Sequence, residues 1–206
     1  MSIGPRILPS GPTSFLAEYD SLDEVMQAVA HLQATSPAGV VDVVPAARTV
    51  LVTVAAATDL AAAIEVVRRP SPLRHGHRPA GSTVTIEVVY DGEDLQAVAN
   101  SCGLTAADVV SMHTMAEYTV AFCGFVPGFS YLIGLDPRLH LPRRSTPRTR
   151  VPAGSVAIAS EFSAVYPVDG PGGWHLIGRT DAVMWDEQRH VSALLPPGTR
   201  VRFAQR

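Results

Sequence analysis

The strongest constraint on the fold is a segment near the middle of the chain that neither a helix nor a strand can run through. Residues 70–81 read PSPLRHGHRPAG, so proline, glycine and arginine stand close together without apolar periodicity. This composition is typical of a linker. Arginines flank His75 and His77, and their charge disfavours a bound cation, so we expect solvated histidines rather than a metal site. We predict two domains, residues 1–80 and residues 81–206.

The pattern before this linker predicts strand, helix, strand, strand and helix. A short apolar run over residues 13–19 precedes Ser21 and Glu24, whose spacing is that of a capping box ahead of an amphipathic helix. Residues 40–44 and 49–54 are rich in β-branched side chains and predict a hairpin. Thr58 is the predicted N-cap of a second helix, which ends near residue 69. We expect a small α/β domain.

The second half begins with a strand and two helices. Residues 83–90 alternate in hydrophobicity, which predicts a strand with one solvated face. Helices are predicted at residues 94–101 and 106–113, the second with a capping box formed by Thr105 and Asp108. Beyond Glu117 the chain consists of short apolar runs separated by proline and glycine. That pattern favours a barrel or a sandwich over a parallel sheet.

The cationic residues exclude several functions. All 16 are arginines, because the chain contains no lysine. Schiff-base chemistry and the Walker lysine of P-loop ATPases are therefore excluded. No arginine occurs in residues 81–137, so the two helices there lack the cations that a DNA-binding helix-turn-helix needs. We expect no nucleic-acid partner.

The cysteines and the hydropathy pattern indicate the setting. Cys102 and Cys123 form no CxxC pair and the histidines form no HExxH motif, so we expect no bound metal. The chain has neither a basic segment followed by an apolar run at its start nor a stretch of about 18 uncharged apolar residues. We expect a reduced, cytoplasmic setting and no membrane partner.

Residues 122–180 combine glycines, aromatic rings and arginines. Aromatic rings supply apolar walls, and guanidinium groups can bind carboxylate or phosphate through two parallel hydrogen bonds. The residues concerned are Phe125, Phe129, Tyr131, Tyr166 and Trp174, with Arg143, Arg144, Arg148, Arg150 and Arg179. They suit a small anionic ligand. The residues alone leave a second interpretation equally open, in which prolines and glycines turn barrel corners and the arginines are solvated.

The order of motifs in this half identifies a family. The chain has His113 and Thr114, then GFVPGFSYLIGL over residues 124–135, PRRSTPRTRVPAGSVAIA over 142–159, VYP over 165–167, PGGWHLIGRT over 171–180 and PGTRVRF over 197–203. In type and in order these motifs resemble the allophanate hydrolase subunit 1 family, also called KipI/PxpB-like. The resemblance covers nearly the whole chain.

The resemblance implies an α+β fold, with a small ferredoxin-like α/β N-terminal domain and a cyclophilin-like β-barrel C-terminal domain. It implies a subunit of an ATP-dependent amide or lactam hydrolase, of the 5-oxoprolinase or allophanate hydrolase type, that acts on a small anionic cyclic amide or ureido acid. The implied partners are an allophanate hydrolase subunit 2-type (PxpC-like) protein and, as a candidate third subunit, a LamB/YcsF-type protein. No cofactor is expected on this chain alone, and ATP is expected at the level of the complex. The alternative is a KipI-like regulatory protein that inhibits a sensor histidine kinase.

Three residues are predicted to be catalytic. His113 is the candidate general acid or base, because a neutral imidazole exchanges protons at low cost near pH 7; the alternative is a helix-terminal imidazole that satisfies the backbone. Arg148 and Arg179 are the candidate anion clamps. The predicted substrate-binding residues are Phe125, Pro127, Tyr131, Arg143, Ser155, Phe162, Tyr166 and Trp174. Phe162 stands where the family usually has Gln, which removes a donor and an acceptor and bears on both substrate and activity.

Overall fold

The computed structural model describes residues 4–69 and 83–206. The chain divides into two units, Met1–His77 and Arg78–Arg206. The predicted linker at 70–81, with His75 and His77, lies outside the described residues. None of the helices in the described ranges has the length and apolar character that crossing a bilayer requires.

Unit 1 is an antiparallel sheet with two helices. The elements are β1 (Arg6–Pro9), β2 (Ser14–Glu18), α1 (Leu22–Thr35), β3 (Val40–Pro45), β4 (Thr49–Val54), a 3₁₀ turn (Ala57–Asp59) and α2 (Leu60–Arg68). The strands form a sheet with the order β1-β2-β4-β3. Alternate residues of β4 are buried, so one face of the sheet packs against the helices and the other faces solvent.

The two helices of unit 1 begin differently from one another. Ser21 caps α1 as predicted, since its Oγ accepts the Glu24 N–H at 3.3 Å. The Glu24 carboxylate, however, accepts the N–H of Asp20 rather than that of Ser21. The predicted Thr58 cap is wrong, because Thr58 lies inside the 3₁₀ turn and α2 begins at Leu60 without a side-chain cap bond.

The ferredoxin-like part of the prediction is not confirmed. A ferredoxin-like sheet takes its last edge strand from the chain that follows the second helix. In the described part of unit 1, the corresponding edge position beside β2 is held by β1, which comes from the beginning of the chain.

Unit 2 consists of a seven-stranded sheet, a two-stranded sheet and two helices. The elements are β5 (Val84–Val88), α3 (Leu95–Cys102), α4 (Ala106–Met115), β6 (Tyr118–Cys123), β7 (Ser130–Ile133), a 3₁₀ turn (Pro137–Leu139), β8 (Arg148–Val151), β9 (Ser155–Ala159), β10 (Phe162–Val165), β11 (Gly170–Gly172), β12 (His175–Arg179) and β13 (Arg200–Gln205). The large sheet has the order β12-β9-β10-β7-β6-β13-β5, and β11 pairs with β8 in the small sheet. The predicted capping box of Thr105 and Asp108 is present at the start of α4.

The large sheet curls until its two edges nearly meet. Val89, just beyond edge strand β5, exchanges two 2.9 Å backbone hydrogen bonds with Arg179 at the end of the opposite edge strand β12. This contact nearly closes the sheet and confirms the prediction of a barrel. The interior is filled by apolar side chains from the strands and from α3 and α4.

Gly134 should contribute to the stability of unit 2. Its φ is +115°, and an added Cβ would press against the carbonyl oxygen of Glu117. We expect Gly134→Ala to lower the free energy of unfolding by about 1–3 kcal/mol. Both tryptophans lie in unit 2, so urea unfolding followed by tryptophan fluorescence measures this. Gly170→Ala is the control, because no atom lies within 4 Å of its added Cβ; equal stabilities of the two variants would contradict the expectation.

Candidate functional site

The two faces of the barrel sheet separate the predicted site residues. Phe162 and Ser163 are neighbours on β10, and side chains of successive strand residues point to opposite faces. Ser163 is fully buried and contacts His113, while the ring of Phe162 lies 5.5 Å from that of Tyr131 and 5.9 Å from that of Phe122. One face therefore belongs to the barrel interior, and the other carries aromatic rings.

Seven aromatic rings form one connected group on the outer face, which we call the aromatic cluster. Phe129 is at its centre, with ring centroids 5.1 Å from Tyr131, 5.2 Å from Tyr166 and 5.5 Å from Trp174. The members are Phe122, Phe125, Phe129, Tyr131, Phe162, Tyr166 and Trp174. Five of them were predicted to bind substrate. Phe122 was missed, although it belongs to the apolar run ahead of the first motif.

Phe125 is the most accessible ring of the aromatic cluster, with 57% of its surface exposed. Its backbone has φ of 72°, a left-handed conformation that costs a non-glycine residue about 1–3 kcal/mol. The turn is held by hydrogen bonds from the Val126 N–H to the Gly124 carbonyl and from the Phe129 N–H to the Val126 carbonyl. Pro127 is exposed at its tip. The fold thus accepts a strained backbone at Phe125 and holds its exposed ring over a buried aromatic group, as ligand-binding surfaces often do.

Arg148 is tied to two acidic residues beside the cluster. Its Nη2 donates to Asp94 Oδ1 at 2.9 Å and to Glu93 Oε2 at 3.1 Å. Asp94 also accepts from Arg144 Nη1 at 2.6 Å. Burial raises the pKa of the Asp94 carboxyl, but the Arg148 and Leu176 hydrogen bonds and the two arginine charges outweigh it, and the net pKa is lowered. Asp94 is therefore a buried carboxylate anion, and sequence reasoning did not identify it as part of the site.

Arg143 is exposed near the same rings. Burial raises the pKa values of the Tyr131 and Tyr166 hydroxyls, and the charge of Arg143 opposes both shifts. Arg143 also lines an open cavity of about 470 Å³ together with Arg144 and His175. Two arginines therefore meet at a concave surface next to the cluster.

Arg179 and Ser155 lie at the closing edge of the barrel, where they are register partners on β12 and β9. Arg179 Nε donates to Asp91 Oδ2 at 2.8 Å, and its side chain is 61% exposed. The Ser155 hydroxyl donates to the Pro152 carbonyl at 2.7 Å. Both residues thus have partners outside the aromatic cluster.

His113 lies inside the barrel with no exposed surface. The Tyr90 hydroxyl is 2.7 Å from its Nδ1, and the Ser163 hydroxyl is 2.9 Å from its Nε2. The ring of Phe203 covers it at 4.4 Å. Burial lowers the pKa of His113 to about 3. The imidazole is therefore hydrogen-bonded at both nitrogens on the opposite face of the sheet from the aromatic cluster, and its burial favours the neutral form.

Unit 1 has a cavity of its own, of about 590 Å³, which the sequence did not suggest. Arginine and acidic side chains both line it. Arg6 pairs with Glu18 at 3.4 Å, and Arg48 lies 3.9 Å from Asp20. This cavity is mixed in charge and lacks the dense aromatic lining of the outer face of unit 2.

The sequence model of the family described as "Carboxyltransferase domain, subdomain C and D" matches residues 5–195. The chain belongs to this family. It is 46% identical over 144 residues to the 5-oxoprolinase B subunit of Escherichia coli O157:H7, a match that covers 68% of this chain and 66% of that protein. The match thus spans slightly less than two thirds of that relative.

Two solved structures have a similar fold. A conserved uncharacterized protein from Pyrococcus horikoshii is 32% identical, with a TM-score of 0.59 and coverage of 98% of this chain and 97% of that one. The urea carboxylase of Kluyveromyces lactis is 18% identical with a TM-score of 0.71, and the likeness covers all of this chain but 22% of that protein. The second likeness concerns the fold alone, and it shows this fold within a much longer polypeptide.

His113 should make the stability of unit 2 depend on pH below neutrality. Its folded pKa of about 3 lies below the ordinary unfolded value of ~6.5, so the unfolded chain binds the proton more tightly. Stability present at pH 7 is then lost as the pH falls below 6.5, by about 2 kcal/mol at pH 5. Urea unfolding of the wild type and of His113→Gln at both pH values measures this loss.

The wild type should lose about 2 kcal/mol more between pH 7 and pH 5 than His113→Gln does. A variant of the exposed His190, His190→Gln, is the control and should behave like the wild type. Carbon-13 NMR of histidine-labelled wild type gives a second readout that needs no variant. A His113 ring that becomes protonated above pH 5 would contradict the buried, neutral state.

Proposed function

We propose that this chain is a subunit of an ATP-dependent amide or lactam hydrolase of the 5-oxoprolinase type. The observation that carries the proposal is the 46% identity to a 5-oxoprolinase B subunit, within a family match over residues 5–195. The aromatic cluster with arginines beside it supports the proposal, because a small carboxylate-bearing ring needs apolar walls and a guanidinium partner.

The chemistry explains why arginines are needed. A lactam carbonyl is a poor electrophile, and phosphoryl transfer from ATP to its oxygen would create a good leaving group for hydrolysis. Negative charge accumulates on oxygen atoms along this route, and preorganised cations stabilise it. Without any lysine, this chain can supply such cations only through arginine.

We assign the residues as follows. Tyr131 and Trp174, whose rings lie 5.6 Å apart, form the walls against which the substrate ring packs. Arg148 and Arg143 bind its anionic groups, and Arg179 is a further clamp at the barrel edge. The remaining predicted contacts are Phe125, Pro127, Ser155, Phe162 and Tyr166. A proton-transfer role for His113 stays a prediction, and it requires that the buried ring be uncovered in the complex.

The active unit would be a complex. We propose a subunit 2-type (PxpC-like) partner and a LamB/YcsF-type third subunit, with ATP bound at the level of the assembly. The presence of this fold within a much longer urea carboxylase chain supports a module that works beside others. Separate subunits and fused domains are two ways of bringing the same surfaces together.

Reconstitution tests the proposal. The chain is co-expressed with both partner types from the same source, and ATP hydrolysis and glutamate formation are measured with and without 5-oxoproline. We expect 5-oxoproline-dependent hydrolysis only when the complex is complete. An assembled complex that turns over neither 5-oxoproline nor allophanate would contradict the hydrolase assignment.

Arg148 should be required for turnover in that assay. Arg148→Ala removes a cation beside the aromatic cluster, and we expect kcat/KM to fall by about 100- to 1000-fold with the complex intact by size-exclusion chromatography. Arg138→Ala is the matched control, because Arg138 is an exposed arginine paired with Asp136 two residues away. Wild-type rates for Arg148→Ala would exclude Arg148 as a clamp.

A further inference from the structure

Asp94 is a buried carboxylate at the junction of several elements of unit 2. It lies immediately before α3 and is only 3% exposed. Its Oδ2 accepts the N–H of Leu176 on β12 at 2.8 Å. Its Oδ1 accepts from Arg144 Nη1 at 2.6 Å and from Arg148 Nη2 at 2.9 Å. One carboxylate thus connects two arginines to the edge strand of the barrel.

A buried carboxylate is stable only with several partners, and Asp94 has three donors. Removing a charge from water costs several kcal/mol unless hydrogen bonds and opposite charges replace the hydration. Two guanidinium groups and one backbone N–H meet that requirement here. Glu93 also accepts from Arg148 Nη2 at 3.1 Å, so the two arginines face two carboxylates, and an anion that binds Arg148 would displace the exposed Glu93.

Asp94 engages part of each guanidinium group and leaves other nitrogens uncommitted. Within the described residues, Arg148 Nη1 and Arg144 Nε are buried without a hydrogen-bond partner. The guanidinium group is planar, so hydrogen bonds at one of its nitrogens restrict the directions of its other N–H groups. Arg148 and Arg144 are therefore oriented by Asp94.

The oriented arginines adjoin the aromatic cluster. The Arg148 charge acts on the Tyr166 hydroxyl, and Gly172, the register partner of Arg148, lies against that hydroxyl. The backbone N–H of Arg144 donates to the Gly173 carbonyl at 2.7 Å, next to Trp174. Both arginines are thus held close to the rings to which we assign substrate binding.

We propose that Asp94 is the positioning residue of this site, which holds Arg148 and Arg144 in the orientation needed to bind the anionic groups of the substrate. The identity of the substrate in this inference rests on the proposed function. The geometry of Asp94 and the two arginines does not depend on it. Asp94 itself does not touch the substrate in this account. Its contribution passes through Arg148 and Arg144, and that dependence is measurable.

A mutant cycle in the reconstituted complex tests the dependence, with the two arginines replaced together. We expect Asp94→Asn to lower kcat/KM for 5-oxoproline by about 10- to 100-fold. Asp94→Asn added to the variant Arg148→Ala with Arg144→Ala should cause no further loss, because Asp94 has no guanidinium left to position. Losses that multiply in the triple variant would overturn the proposal, since they would show that Asp94 acts independently of both arginines.

Two variants serve as controls. Asp181→Asn removes a negative charge and one arginine hydrogen bond at an exposed position, and its kcat/KM should equal the wild-type value. Asp94→Glu keeps the charge and should recover part of the activity lost in Asp94→Asn. Activity of Asp94→Glu as low as that of Asp94→Asn, in a protein that unfolds like the wild type, would count against positioning by the carboxylate.

An NMR measurement on the chain without partners tests the geometry independently of any turnover. In the wild type, the side-chain N–H signals of Arg148 and Arg144 should show hindered guanidinium rotation, whereas those of the exposed Arg200 should be averaged. Asp94→Asn should remove the hindrance. Freely rotating Arg148 and Arg144 in the wild type would overturn the proposal, while an inactive complex with hindered arginines would contradict only the proposed substrate.

Discussion

The carboxylate of Asp94 is the interaction that holds the arginines beside the aromatic cluster of unit 2. It joins the loop before α3 to Arg144, to Arg148 on β8 and to the backbone of β12, partners that are 50 to 82 residues away along the chain. The surface that carries arginines beside aromatic rings exists only if these segments remain together. Asp94 is therefore a structural constraint on this surface, and in our proposal it is also a functional one.

Strand alternation explains how the barrel combines a packed core with an aromatic cluster on its outer face. Interior positions such as Leu132 and Val165 fill the barrel, while Tyr131, next to Leu132, and Phe162, three residues before Val165, face the opposite way. The same alternation places Ser163, and with it His113, inside. A barrel sheet can thus maintain a buried polar pair and an aromatic cluster on its two faces without mixing them.

Much of the fold was predictable, because it depends on local patterns and on family motifs. Short strands broken by proline and glycine predict a barrel or a sandwich, and the family resemblance implies the barrel. The capping box of Thr105 and Asp108 marks the start of α4. Five of the clustered rings lie in motifs dense in glycine and aromatic residues.

The role of Asp94 was not predictable, because its partners are distant in sequence. The burial of His113 depends on which face of α4 meets β10 and β13. The prediction that Thr58 caps α2 was wrong because a 3₁₀ turn includes that residue.

The most direct test of this account is a crystal structure of the reconstituted complex with 5-oxoproline bound. We expect the five-membered ring against the face formed by Tyr131 and Trp174, with its carboxylate on Arg148 or Arg143 and with Asp94 still bonded to Arg148. A ligand bound in the unit 1 cavity beside Arg48, with nothing bound at the aromatic cluster, would show that the outer face of the barrel is not the substrate site.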